Sequence, residues 1–301
     1  MDFQRIAVIG PGLLGGSLVR GIARRTSGVE TLPEVRVWGR RPEPVARLQA
    51  MGEATLASTD LGEVAREADL VILATPIGVM PALVEQLVTL GAIRDGVVVT
   101  DVGSVKESVV RDLEAPVAAA GGIFVGSHPM AGSEKTGLEH ATADLFEGAA
   151  CLVTPTGATD SAALERVETF WQWLGARTAR LSPEGHDRTV AAISHVPHLV
   201  AALLVETALG ENPDAGNFAG GGFRDSTRIA AGAPDMWAEI LLENRDAVRE
   251  SLAHFHRLTG ESLAFLDDCK KEDLRRLLAN AKDRRDELRF RESGSSPSSE
   301  S

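Results

Sequence analysis

Short apolar runs alternate with longer amphipathic stretches through the first 181 residues. RIAVIG (5–10), EVRVWG (34–39), DLVILATP (69–76) and GVVVTDVG (96–103) are β-branched-rich and short enough to be buried strands. Helical patterns separate them; the one after the second run, RPEPVARLQAMG (41–52), is opened by prolines and closed by Gly52. Strand and helix in alternation predict a parallel sheet covered on both faces, and runs at 122–126, 149–154 and 177–181 extend it. The expected fold is α/β: an N-terminal Rossmann-type, doubly wound, mostly parallel sheet followed by a C-terminal all-α domain.

The texture changes near residue 182. Strand patterns stop, and long helical segments are expected over 184–209, 234–258 and 261–290. The last places Leu274, Leu277, Leu278 and Ala281 on one stripe, so it should pack by one face. The boundaries predicted are 1–181 for the dinucleotide-binding domain and 182–292 for the helical domain. The tail SGSSPSSES (293–301) has no apolar anchor and is expected to be disordered.

Composition narrows the function classes. A chain of 301 residues with 44% apolar content can bury two cores. A net charge of −12 argues against a nucleic-acid partner, which needs basic patches, yet leaves room for a small anionic ligand held by a local arginine. Cys151 and Cys269 stand alone, with no spacing for a disulfide framework or a zinc site, so no metal is expected. The first apolar stretch, Ile6 to Ile9, is too short for a signal peptide or a membrane span, and a cytoplasmic location is expected.

IAVIGPGLLGGSLVRGI carries Gly10, Gly12 and Gly15 in GxGxxG spacing, with Leu13 and Leu14 between, at a strand-to-helix junction. Such a loop lets a backbone approach a pyrophosphate and rests the phosphates on a helix N-terminus. An NAD site usually has a carboxylate at the end of the second strand; here VWGRRPE puts Gly39 there, followed by Arg40 and Arg41. Guanidinium groups bind a 2′-phosphate, so NADP is the expected cofactor with NAD possible. A solvated basic turn without selectivity is the competing reading. Thr75 and Pro76 end the third strand and are placed beside the nicotinamide ribose; a plain strand terminus explains them nearly as well.

GSHPMAGSEKTG (126–137) brings His128 to the same sheet edge as Asp101, Gly103 and Ser104 of TDVGSVK (100–106). An imidazole there can accept a proton near neutral pH, with Ser104 fixing its tautomer. A helix N-cap is the plainer role for that serine, and a satisfied core position the plainer one for the histidine.

With these pieces assembled, the chain resembles the prephenate/arogenate dehydrogenase family of tyrosine biosynthesis. The resemblance rests on GPGLLGGS (10–17), TDVGSVK, GSHPMAGSEKTG, SPEGHD (182–187), ISHVPHLVA (193–201), GGGFRDSTRIA (220–230) and PDMW (234–237), in family order. It implies oxidative decarboxylation of prephenate or arogenate with hydride transfer to NAD(P)+. It implies His128 as the base, Ser104 as its orienting partner and Arg228 on a substrate carboxylate. His198, His186, Ser133, Glu134 and Trp237 are the further substrate-site candidates, and His195 is read as structural. It also implies a homodimer built through the helical domain. One alternative is a 3-hydroxyacid-type dehydrogenase, disfavoured because residues 183–260 contain no lysine to act as its acid/base. Another is a non-catalytic NADP-binding regulator, which would not need Ser104, His128, His198 and Arg228 together.

Overall fold

The computed structural model describes residues 2–26, 33–132 and 135–288. The strands are β1 (Arg5–Ile9), β2 (Glu34–Trp38), β3 (Leu56–Ser58), β4 (Leu70–Leu73), β5 (Val98–Asp101), β6 (Ile123–Pro129), β7 (Ala150–Thr154) and β8 (Arg177–Arg180). They form one sheet in the order β3-β2-β1-β4-β5-β6-β7-β8. Neighbours run parallel except β6 and β7, which pair antiparallel with His128 opposite Leu152. The helices interleaved with them are α1 (Leu13–Thr26), α2 (Pro42–Met51), α3 (Leu61–Ala65), α4 (Met80–Thr89), α5 (Glu107–Ala119) and α6 (Ser161–Trp173). β3 was not anticipated; at three residues it is too short to show a period.

Strand β4 shows why the sheet is covered on both sides. All four of its residues are buried; Leu70 and Ile72 join one core with α1 and α6, while Val71 and Leu73 join the other with α3, α4 and α5. A run without polar alternation is what a central parallel strand requires. Each such side chain contributes about 1.5–3 kcal/mol on leaving water. The winding reverses between β1 and β4, and the crevice beyond their carboxyl ends is where open sheets of this kind bind ligands.

The helical half begins with α7 (Pro183–Val190), a π-helical turn (Ala191–His195) and α8 (Val196–Leu209), not the unbroken 184–209 helix expected. Pro197 has no N–H to continue the α ladder, and Val196 N–H reaches back to Ala191 O across the wider turn. Helices α9 (Gly221–Thr227) and α10 (Pro234–Glu243) follow. The predicted 234–258 helix is interrupted at Asn244, whose side chain is spent on tertiary hydrogen bonds. Beyond it come α11 (Arg245–Asp267) and α12 (Lys271–Glu287), separated by a turn in which Cys269 takes a left-handed φ of 53°. Of the stripe expected to pack on α12, Leu274 and Leu277 are half-buried while Leu278 and Ala281 are exposed. One compact unit ends at Arg245 and a second begins at Asp246, so α7 to α10 share the unit of the sheet. The tail 293–301 lies outside the described residues.

Candidate active site

The glycine loop is closed tightly. Gly10 has a φ of 117° and donates its N–H to Trp38 O; a Cβ there would lie 2.5 Å from Ala74 O. A Cβ on Gly15 would lie 1.8 Å from Gly10 O, so α1 can start this close to β1 only without side chains at both positions. Leu13 and Leu14 form the first turn of α1, half-buried, with Leu14 against the core. Gly12 faces an open cleft of about 520 Å³ whose other walls are Arg41, Glu43, Pro44 and 136–139. Thr75 Oγ1, at the β4 end, is buried without a hydrogen-bond partner among the described residues, and Pro76 leads into the turn Ile77–Val79. A closed glycine turn, a helix N-terminus, a cleft and an orphaned hydroxyl at one sheet edge fit a dinucleotide.

The basis of the cofactor reading changes in one respect. A Cβ at Gly39 would meet the Pro11 ring at 2.7 Å and Val45 at 2.9 Å. A side chain at that position is therefore disfavoured by packing, whichever ribose is bound. Arg41, not Gly39, reaches the cleft, while Arg40 is exposed and does not line it.

At the end of β6, His128 is buried, and its Nδ1 lies 2.9 Å from Nε2 of His186. The other nitrogen of His186 lies 2.7 Å from Oδ1 of Asp187. Asp187 holds its place by accepting Lys106 N–H on Oδ1 (2.8 Å) and Glu107 N–H on Oδ2 (2.9 Å). Those are the opening amides of α5, which no local side chain caps. Asn244 donates to Asp187 O (2.9 Å) and, through the same nitrogen, to Nδ1 of His195 (3.1 Å). Beneath His128, the fully buried Lys106 ammonium pairs with Asp101, which also accepts Gly103 N–H (2.8 Å) and Ser127 N–H (3.2 Å). Burial above all, then the neighbouring His186 and Lys106, push His128 well below the ordinary histidine range. His186 is lowered too, by burial first, against the raising pull of Asp187. The imidazole of His128 is thus neutral at neutral pH and can take a proton.

Among the described residues no hydrogen bond joins Ser104 to His128, whose Nδ1 is met by His186, and the opening amides of α5 are taken by Asp187 and not by Ser104. The structure draws His186 into contact with His128 itself. His198 stacks on Trp237 with ring centroids 3.5 Å apart and planes 11° apart, and its Nδ1 is buried without a partner among the described residues. His195 is buried edge-on to Trp237 at 6.2 Å. Arg228 is exposed in the turn Arg228–Ala231, which packs against the helix carrying His198. Ser133 and Glu134 lie outside the described residues.

Asp187, Asn244 and the Lys106–Asp101 pair had no role assigned from sequence. Asp101, Lys106 and Asp187 stood within quoted motifs, whereas Asn244 carried no signal.

A family model described as prephenate dehydrogenase, nucleotide-binding domain, matches residues 28–180, and one described as prephenate dehydrogenase, dimerization domain, matches 182–280. The chain belongs to the prephenate dehydrogenase family. It is 35% identical to a prephenate dehydrogenase of Bacillus subtilis over 305 residues, covering 97% of this chain and 78% of that one. It is 32% identical to a cyclohexadienyl dehydrogenase of Zymomonas mobilis over 257 residues, covering 84% and 85% respectively. The crystal structure of the A. aeolicus prephenate dehydrogenase, in complex with hydroxyphenyl propionate and NAD+, superposes with a TM-score of 0.87 at 31% identity. That match covers 95% of this chain and 99% of the other. In this chain the glycine loop, Thr75 and His128 lie at the carboxyl edge of the sheet.

Proposed function

We propose that this protein oxidatively decarboxylates prephenate or arogenate, yielding 4-hydroxyphenylpyruvate or tyrosine, carbon dioxide and a reduced nicotinamide cofactor. The observation that carries the reading is a buried, neutral His128 at the same carboxyl edge as the glycine loop. The residues that hold the dinucleotide are the loop 10–15, Thr75 and Arg41; when bound, it supplies the hydride acceptor. His128 takes the ring hydroxyl proton as the ring C–H electrons leave, and loss of the ring carboxylate as carbon dioxide aromatises the product. A neutral imidazole matches this task, since a protonated one cannot accept. Arg228 binds a substrate carboxylate from its turn beside α8, and the Trp237–His198 stack walls the ring.

NADP is the preferred cofactor in this reading, because Arg41 lines the cleft where the adenosine ribose would lie. Glu43 and Glu139 share that cleft, and the guanidinium must outweigh them. The working form is a homodimer. Ile193, Leu203 and Leu204 on the helical half of the first unit, and Leu263, Leu266 and Leu278 in the second, are large apolar side chains left exposed.

The test is an assay of reduced-cofactor absorbance with prephenate and with arogenate, in the wild type and in His128→Asn. A turnover loss of ~10²–10⁴-fold with cofactor affinity retained is expected. A variant that keeps most of its kcat would remove His128 from the chemistry.

A further inference from the structure

We infer that His186 and Asp187 are positioning residues that fix the tautomer of His128, leaving its Nε2 free to accept the substrate proton. The inference deepens the reading of His128 as the base and rests on it. Asp187 uses both carboxylate oxygens as acceptors, one for Lys106 N–H and one for Glu107 N–H. A group acting as acceptor on both oxygens requires His186 to present an N–H at Nδ1, 2.7 Å away. A neutral imidazole protonated on Nδ1 carries a lone pair on Nε2, and that atom meets Nδ1 of His128 at 2.9 Å. His128 must then be the donor, with its hydrogen on Nδ1 and its lone pair on Nε2. The order of donors runs one way along the chain because only the carboxylate end is fixed by two backbone amides.

The proton balance closes. The substrate O–H bond breaks, a new N–H bond forms at Nε2 of His128, and the Nδ1 hydrogen stays in its bond to His186. Other ionisable groups face this relay from each packed element. Lys106 and Asp101 come from β5 and its exit loop, Cys151 from β7, and His195 from the π turn; Lys106 opposes the positive charge while Asp101 and Asp187 favour it. The aspartate of the serine-protease triad does comparable work, and changing it to the amide there costs about 10⁴-fold by imposing the wrong tautomer.

Asp187→Asn offers an amide that can keep one backbone acceptor only by turning N–H₂ toward another donor. With its N–H₂ on the side of Lys106 N–H and His186, the amide makes His186 accept at Nδ1, which reverses the chain and puts the hydrogen of His128 on Nε2. His186→Phe keeps the ring shape and removes the acceptor, so it serves if the first variant fails to fold. Nitrogen NMR of the histidine rings in the full-length enzyme reads the tautomer directly, alongside kcat and KM. The wild type is expected to show His128 protonated on Nδ1. Asp187→Asn should shift the hydrogen toward Nε2, and His186→Phe should leave the two forms mixed. In both, kcat should fall ~10²-fold or more with cofactor KM within a few-fold. A wild-type His128 protonated on Nε2, or a tautomer unchanged in both variants, would overturn the inference. A shifted tautomer with unchanged kcat would uphold the positioning and defeat His128 as base.

Discussion

Acid should destabilise this protein through its buried histidines, and His195 sets the size of the effect most clearly. Its side chain is 1% exposed, its Nδ1 accepts from Asn244, and its ring lies edge-on to Trp237. Burial is the main reason its pKa falls from 6.5 to about 4, with nearby His186 and His198 lowering it further and Asp187 pulling the other way. The unfolded chain binds a proton near 6.5 and the folded one only near 4, so between those values the unfolded state holds more protons. Stability from this group is therefore fully present above about 6.5 and drains away as pH falls toward 4. At ~1.36 kcal/mol per unit, the drop is worth about 3 kcal/mol.

The perturbation that isolates it is His195→Gln, which keeps an acceptor for Asn244 and cannot titrate. Urea unfolding at fixed protein concentration, repeated from neutral pH down to 4, gives stability against pH for both proteins. The wild type should lose about 3 kcal/mol more than the variant across that window. His128, His186 and His198 are lowered in the same direction in both proteins, so their contributions largely cancel in the difference. Parallel curves for the two proteins would refute the reasoning, whatever their offset at neutral pH.

Two further substitutions have expected outcomes. Lys106→Met leaves Asp101 charged and fully buried with only its backbone donors, so it should destabilise by about 3–5 kcal/mol in thermal or urea unfolding. The same variant removes a cation that lowers His128, so the acid limb of kcat/KM should move to higher pH; an unmoved or lowered limb would contradict it. Arg41→Ala should lower kcat/KM with NADP about tenfold or more and leave NAD nearly unchanged, and an equal loss with both cofactors would defeat the 2′-phosphate assignment.

The sheet and the loop that opens it were legible because they depend on local rules. Four apolar residues in a row at 70–73, or glycines at 10, 12 and 15, carry their meaning within a few positions. The exit loops of β5 and β6 could be placed at one edge for the same reason, which located His128. Relations across the chain were not legible. Nothing local to SPEGHD says that its aspartate caps a helix starting at residue 107, or that its histidine meets one 58 positions earlier. Gly39 was legible in part, since its place at the end of β2 is local while its crowding by Pro11 and Val45 is not.

The π turn ties these two kinds of information together. Twelve residues separate His186 from His198, which at ~100° per residue puts them about 120° apart on a straight α-helix. For both to face one site, sequence alone required some distortion between them, by a bend at Pro197 or at the 182–187 turn. The wider turn over Ala191–His195 meets the demand differently, by taking up one residue without advancing the helical face. Counted that way, eleven effective steps return the two rings to within roughly 20° of each other. His186 can then meet His128 while His198, three turns on, lies against Trp237 on the same side. A one-residue deletion within 191–195 that restored α geometry would leave α8 facing as it does, because the π turn already holds the extra residue outside the helical count. Retention of both the Trp237–His198 stack and the His128–His186 contact is the structural signature that such a deletion should leave, and loss of the stack would refute the count.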